Sequence, residues 1–404
     1  MTTLSKLCIL CFNNYTQIIE SKTFAYSDNV DISNLEGPYE SIRAKRSTLM
    51  GVRNNKWNSP IKYTPTNHRF VNQTRIDNAL KVITQHTCLE FQKVDKIENE
   101  PGLTLIGQGR CNSRVGRVYN DKPQPVVLSF GCDYLSGVHH EVGHALGLIH
   151  EHMRSDRDQY VIINKKNIAG FGGNFNKYKP NQIDSFNISY DYGSALHYPK
   201  GAIAQQGKIS IQPKDPNYLD TIGQALGLKF NDYKQVNIMH CDHVCKTKLT
   251  NCTRGGYTDP KNCSICRCPP HYTGRYCEEY RTSNPKCGNQ TVFNATDNEQ
   301  IIHVNNTLSC FFYINTEESY KIFIRIMYTD LHTFQYCPNK QALEIRYRGD
   351  PSVMGAMFCG KKQNVTMTSE SNHVSIHYVG MKPHHFAIFA YKRVKVENKK
   401  NEYD

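Results

Sequence analysis

Apolar positions change rhythm along the chain. Between Ile76 and Gln85, residues Ile76, Ala79, Leu80 and Ile83 recur at the three- and four-residue spacing of one helix face, which predicts an amphipathic helix. The pattern then shortens. Leu103–Ile106, Val115–Tyr119 and Val126–Phe130 are brief apolar runs set between Gly and Pro, and read as strands. A second helix is expected from near Gly137, so residues 47–241 form a mixed α/β block. Beyond residue 287 the runs Tyr320–Met327, Leu343–Tyr347, Val374–Val379 and Phe386–Tyr391 are rich in β-branched and aromatic residues and predict an all-β unit ending near 392. Residues 13–46 are polar, without cysteine or clear period, and the charged tail 393–404 is expected to be disordered.

Residues 242–281 have little apolar material but carry Cys245, Cys252, Cys263, Cys266, Cys268 and Cys277. So short a segment cannot bury a sufficient core and needs covalent staples. The chain holds 16 cysteines; Cys8 and Cys11 lie at its start, and the other fourteen run from Cys88 to Cys359. That density implies an oxidising compartment. The acceptor triplets at Asn72, Asn187, Asn289, Asn294, Asn305 and Asn364 point the same way, to a secreted glycoprotein. The only export-like segment is Lys6 followed by Leu7–Phe12, shorter than usual, which suggests a truncated or displaced start. No apolar run approaches the roughly 20 residues of a membrane-spanning helix.

Across 404 residues, two or three domains are expected. The net charge of +13 favours acidic partners in principle, but the basic residues are scattered and form no nucleic-acid motif. A solvated basic surface is the simpler reading, with matrix or heparin-like contact as the alternative. Arg43-Ala-Lys-Arg46 has the form cut by furin-like processing proteases, so residues 1–46 read as a weak signal plus pro-segment and Ser47 as the mature start.

The chemistry is concentrated in His140-Glu-Val-Gly-His144-Ala-Leu-Gly147-Leu-Ile-His150. Two histidines four residues apart on a helix project from one face about one turn apart, so both imidazoles reach one zinc ion. Gly147 accepts the left-handed backbone that ends a helix and turns the chain, which brings His150 in as a third ligand. Three protein ligands leave a position for water, the pattern of catalytic zinc rather than of a closed structural site. Glu141, beside the first ligand, is placed to take a proton from that water and pass it to a leaving amine. His139 and His152 read as bystanders.

The extended motif resembles that of the metzincin proteases, and the residues around it narrow the resemblance to the astacin family. His150-Glu-His-Met-Arg-Ser-Asp-Arg-Asp-Gln-Tyr160, Gly109-Arg-Cys111-Asn-Ser-Arg-Val-Gly116-Arg and Tyr190-Asp-Tyr-Gly-Ser194-Ala-Leu-His-Tyr198 carry it. Residues 242–281 look like an EGF-like module, with a zinc ribbon as the competing reading, and residues 287–392 look like a CUB domain. The resemblance implies an α+β zincin-like catalytic domain with a long active-site helix at 47–241, followed by the EGF-like module and a CUB sandwich, as in nematode-type astacins. It implies a secreted zinc metalloendopeptidase acting on extracellular proteins, with Tyr198 as a switching zinc ligand that stabilises the oxyanion. It also implies the pairs Cys88–Cys241 and Cys111–Cys132, then 245–263, 252–266 and 268–277, then 287–310 and 337–359; spacing alone leaves fifteen pairings open for the six cysteines of the middle module. Glu151 matches the glutamate that meets the new N-terminal amine after maturation.

Three positions depart from the family pattern. Leu196 stands where the family has the methionine under the zinc, a near volume-conserving exchange. Leu35-Glu-Gly-Pro38 lacks the aspartate that blocks zinc in the pro-segment, and Ala225 replaces an arginine near the S1′ pocket. Two other functions are considered: a catalytically inactive extracellular binding protein acting through the EGF-like and CUB modules, and a structural zinc protein. The intact set His140, Glu141, His144, His150 and Tyr198 favours the enzyme.

Overall fold

The computed structural model describes residues 55–396, except 67, 171, 225 and 335. Five short strands open the fold: β1 (Ile61–Thr64), β2 (Phe91–Lys93), β3 (Leu103–Ile106), β4 (Asn112–Ser113) and β5 (Gln124–Val127). They form one sheet in the order β2-β1-β3-β5-β4, parallel except for β4, which runs antiparallel to β5 at the edge. The helix α1 (Gln73–His86) buries Ile76, Ala79, Leu80 and Ile83, the face expected from the periodicity, and Asn72 caps it by accepting from the Arg75 amide. A second helix, α2 (Leu135–Ala145), packs Val138 and Val142 into the same core.

The expected strand at Val115–Tyr119 does not form. Gly116 has φ +76, its amide donates to the His144 carbonyl at 2.8 Å, and the Val118 amide donates to Gln124 Oε1 at 2.9 Å. The segment's hydrogen bonds are spent on α2 and on a side chain instead of a ladder. The run from Val126 likewise stops at Val127, leaving Phe130 72 % exposed on a turn.

After α2 in the chain come the two-stranded sheet of β6 (Val161–Ile163) and β7 (Ile211–Pro213), and then α3 (Phe230–His240). Cys88 at the end of α1 is bonded to Cys241 at the end of α3, closing a 153-residue separation, and Cys111 is bonded to Cys132. In the chain-entropy picture the longer bridge contributes about 5 kcal/mol.

The disulfide-rich segment that follows contains two small antiparallel pairs, β8 (Tyr257–Asp259) with β9 (Asn262–Arg267) and β10 (Tyr272–Thr273) with β11 (Glu279–Tyr280). Its bridges are 245–263, 252–266 and 268–277. The C-terminal unit is a sandwich of strands β12 (Val292–Asn294), β13 (Gln300–Asn305), β14 (Ser309–Asn315), β15 (Tyr320–Asp330), β16 (Leu343–Arg346), β17 (Ala356–Phe358), β18 (Lys361–Thr368), β19 (His373–Val379) and β20 (Phe386–Lys395). One sheet has the order β12-β14-β19-β16-β17, the other β13-β20-β15-β18, and the bridges are 287–310 and 337–359.

This sandwich is not a bead on a string. Its core is continuous with Val161, Tyr190, Tyr192, Ile211, Tyr218 and Ile222 of the first unit. His271 of the disulfide-rich segment is fully buried against it, with Nδ1 2.8 Å from Ser375 Oγ and Nε2 3.3 Å from Glu344 Oε2. Among the described residues no helix is long and apolar enough to cross a membrane.

Candidate metal centre

The site grows out of how α2 ends. Leu146 stays helical, and Gly147, at φ +102, turns the chain. The Gly147 amide donates to the His144 carbonyl at 2.8 Å and the Leu148 amide to the Gly143 carbonyl at 3.0 Å, the paired bonds of a Schellman stop. The chain then doubles back, and His150 faces His140 and His144.

The three Nε2 atoms converge. His144 Nε2 and His140 Nε2 each lie 3.3 Å from His150 Nε2. Two ligands at the usual 2.0–2.1 Å from zinc and a tetrahedral angle apart would be separated by about 3.3–3.4 Å, so the donor spacing fits that ion. Nδ1 of His140 lies 3.1 Å from the Ala195 carbonyl, and Nδ1 of His144 lies 2.8 Å from the Leu148 carbonyl. A carbonyl can only accept, so these two rings carry their proton on Nδ1 and turn the Nε2 lone pair inward. Burial lowers the basicity of all three rings, and their mutual repulsion adds to this for His144, held at about 3, and for His150. Neutral imidazole is the form that binds a metal.

Glu141, on the same helix, is 7 % exposed, and burial pushes its carboxyl up to about 8. Tyr198 places its ring 4.5 Å from that of His150 and stacks on His152 at 4.2 Å. Leu196 is buried in the core with α2, and its carbonyl accepts from the Glu151 amide at 3.1 Å. His139, read as a bystander, is buried between the Ala79 carbonyl and the Leu228 amide. His152 does not join the triad, yet it is the platform under the Tyr198 ring. Only its distance in space reveals that role, and no spacing in the sequence signals it.

Residues 50–241 match the model of the Astacin peptidase family and residues 287–390 match the CUB domain model. The chain carries an astacin domain followed by a CUB domain. It is 32 % identical over 352 residues to zinc metalloproteinase nas-34 of Caenorhabditis elegans, covering 86 % of this chain and 57 % of that protein. Zinc metalloproteinase dpy-31 of the same organism is 39 % identical over 242 residues, 59 % of this chain and 40 % of that protein. The chain thus spans about half the length of these curated relatives. Among solved structures it is similar to high choriolytic enzyme 1, a hatching enzyme zinc-protease of Oryzias latipes, at 31 % identity and a TM-score of 0.41, covering 45 % of this chain and 92 % of that one.

Zinc is the metal of the astacin family, and His140, His144 and His150 are its candidate ligands in this astacin domain. A second histidine-carboxylate group, His271, Glu344 and His377, lies buried at the joint with the CUB domain. Its donors are already engaged: His271 with Ser375 and Glu344, His377 with Ser309 Oγ at 2.8 Å. Arg346 Nε sits 2.7 Å from Glu344 Oε1 and already neutralises the carboxylate, so this group is a hydrogen-bonded joint. Glu151 is buried, paired with Arg154 Nη1 at 3.0 Å, and accepts from the Asp191 amide at 2.9 Å. Ser47, its expected amine partner, lies outside the described residues, as do Cys8, Cys11, Leu35–Pro38, Arg46 and Ala225.

Proposed function

We propose that this chain is a secreted zinc endopeptidase that hydrolyses peptide bonds in extracellular proteins. The observation that carries the reading is the convergence of three Nε2 atoms beside a buried glutamate on the same helix. Zinc held there supplies Lewis-acid polarisation of a water and of the scissile carbonyl. Glu141 accepts the proton of the attacking water: it is buried on the helix that bears His140 and His144, and a zinc charge beside it would favour its ionised form. The same proton then goes to the departing amine. Tyr198, beside His150, donates its phenol hydrogen to the oxygen on which charge develops. Ala195 and Leu148 orient His140 and His144 through their carbonyls.

Around this core we read residues 1–46 as signal and pro-segment removed at Arg46, 47–241 as the catalytic domain, 242–281 as an EGF-like module, 287–392 as the CUB domain and 393–404 as a tail. The three-disulfide pattern of the middle segment supports the EGF-like reading, and seven disulfides support an extracellular setting. The EGF-like and CUB surfaces that remain exposed are available for matrix or glycan contact.

The test is cleavage of an unstructured protein by the purified secreted chain, with metal content measured on the same sample. Cleavage that stops with a chelator, returns with zinc and is absent from Glu141→Ala supports the reading. A folded, zinc-loaded chain that cuts none of a broad substrate panel overturns it.

A further inference from the structure

The turn Asp191–Tyr198 carries both Leu196 and Tyr198, and it is gripped from two sides. From the astacin domain, Asp232 accepts from Ser194 Oγ at 2.7 Å and from the Ala195 amide at 3.0 Å. From the CUB domain, the Met354 amide donates to Asp191 Oδ1 at 3.1 Å, and the same oxygen accepts from the Gly193 amide at 2.9 Å. One carboxylate oxygen therefore bridges the turn and a segment 163 residues away in sequence. Next to it, Arg348 Nη1 donates to the Tyr190 carbonyl at 2.6 Å.

Packing repeats the grip. Met354 is buried and lies where a side chain at 193 would be: a Cβ there would come within 2.5 Å of Met354 Cβ and 2.8 Å of its Cγ. Gly193 is thus the socket for a CUB side chain. The contact continues away from the turn, where the Met357 amide donates to Thr221 Oγ1 at 2.9 Å and Gln224 Nε2 to the Cys337 carbonyl at 2.8 Å. Three residues beyond Gly193, Leu196 underlies α2, and five residues beyond it Tyr198 stands beside His150. The Ala195 carbonyl within the turn orients His140.

We propose that the CUB domain is a fixed part of the active centre, with Met354 and Asp191 as positioning residues that set the turn bearing Leu196 and Tyr198. This rests on the peptidase reading of the site. It means that the CUB domain acts on the chemical step for every substrate, including peptides too short to touch its outer surface.

The full-length secreted chain is assayed on a short fluorogenic peptide, and amide hydrogen exchange is followed over Gly193–Tyr198. Met354→Ala is expected to lower kcat by about tenfold with KM nearly unchanged, since small misplacements of catalytic groups have effects of that size or larger. Gly193→Ala should lower it further, and Gly193→Ala with Met354→Gly should recover part of the loss by clearing the socket. Exchange over Gly193–Tyr198 should quicken in Met354→Ala while α1 is unchanged. Wild-type kcat and exchange in Met354→Ala overturn the proposal, as does a uniform quickening that includes α1, which would mark only lost stability. If Gly193→Ala does not fold, Met354→Ala alone decides. If the wild type cuts nothing, the peptidase reading fails while the exchange comparison still judges the contact.

Discussion

His140 Nδ1 meets the backbone carbonyl of Ala195 at 3.1 Å, so the helix that bears the first candidate ligand is joined to the turn that bears Tyr198. The candidate metal site and the turn of the proposed oxyanion donor are thereby coupled through this one hydrogen bond.

Ligand and base should separate cleanly. His144→Ala is expected to drop zinc from about one per chain to near none and to abolish cleavage, because three ligands are the minimum of a catalytic site. Glu141→Gln should keep its zinc and lose about 10²–10⁴-fold in kcat, the usual share of a general base. Metal analysis beside peptide kinetics reads both.

Gly147→Ala puts a side chain on a backbone at φ +102. The strain is about 1–2 kcal/mol, and if it is relieved by shifting His150, zinc should bind roughly 5–30-fold more weakly. Competition with a chromophoric chelator measures this. Unchanged affinity would mean that the strain is absorbed elsewhere.

Leu196→Met should be well tolerated. The position is 1 % exposed in an apolar core, and the exchange is near volume-conserving, so the change in stability should stay under about 1.5 kcal/mol and kcat should hold within a few-fold. A large gain of activity would show that Leu196 limits the enzyme.

Acid should weaken the joint between the disulfide-rich segment and the CUB domain. Burial, then Arg346, pushes His271 down from 6.5 to about 4. The unfolded chain therefore takes up that proton first, and stability falls as pH drops from 6.5 toward 4. Burial alone would raise Glu344, but Arg346 and His271 outweigh it and hold the carboxyl well below 4.5, so its contribution is lost as pH falls further. The His271 share is on the order of 3 kcal/mol. Thermal melting against pH should show a shallower acid slope for His271→Gln, and an unchanged slope would place the titration elsewhere.

Glycan should appear where the acceptor asparagines are exposed: Asn187, Asn289, Asn294, Asn305 and Asn364 all face solvent. Asn72 differs, because its side chain also caps α1 by accepting from the Arg75 amide. Asn72→Ala should lower stability by about 1 kcal/mol whether or not sugar is attached. Glycopeptide mass spectrometry of the chain expressed through a secretory pathway and melting of the variant check the two halves.

Local chemistry was legible in the sequence, and long-range contact was not. The α1 face and the turn at Gly147 follow from periodicity and from glycine's backbone, both local properties. All seven disulfides pair as the family resemblance implied. The strand β18 is not legible in the pattern because it is mostly polar, with Met367 its one buried residue. Val115–Tyr119 misled in the other direction, its apolar residues suggesting a ladder that its amides do not make. Nothing near Met354 or Gly193 foretells their meeting, since a socket has no local signature.

The bridge from Cys88 to Cys241 encloses about four-fifths of the astacin domain. A neighbouring protease that nicked the chain anywhere between them would open a backbone without freeing a piece. Damage would then pass unseen on a non-reducing gel, and the fragments would part only when the sulfurs were reduced.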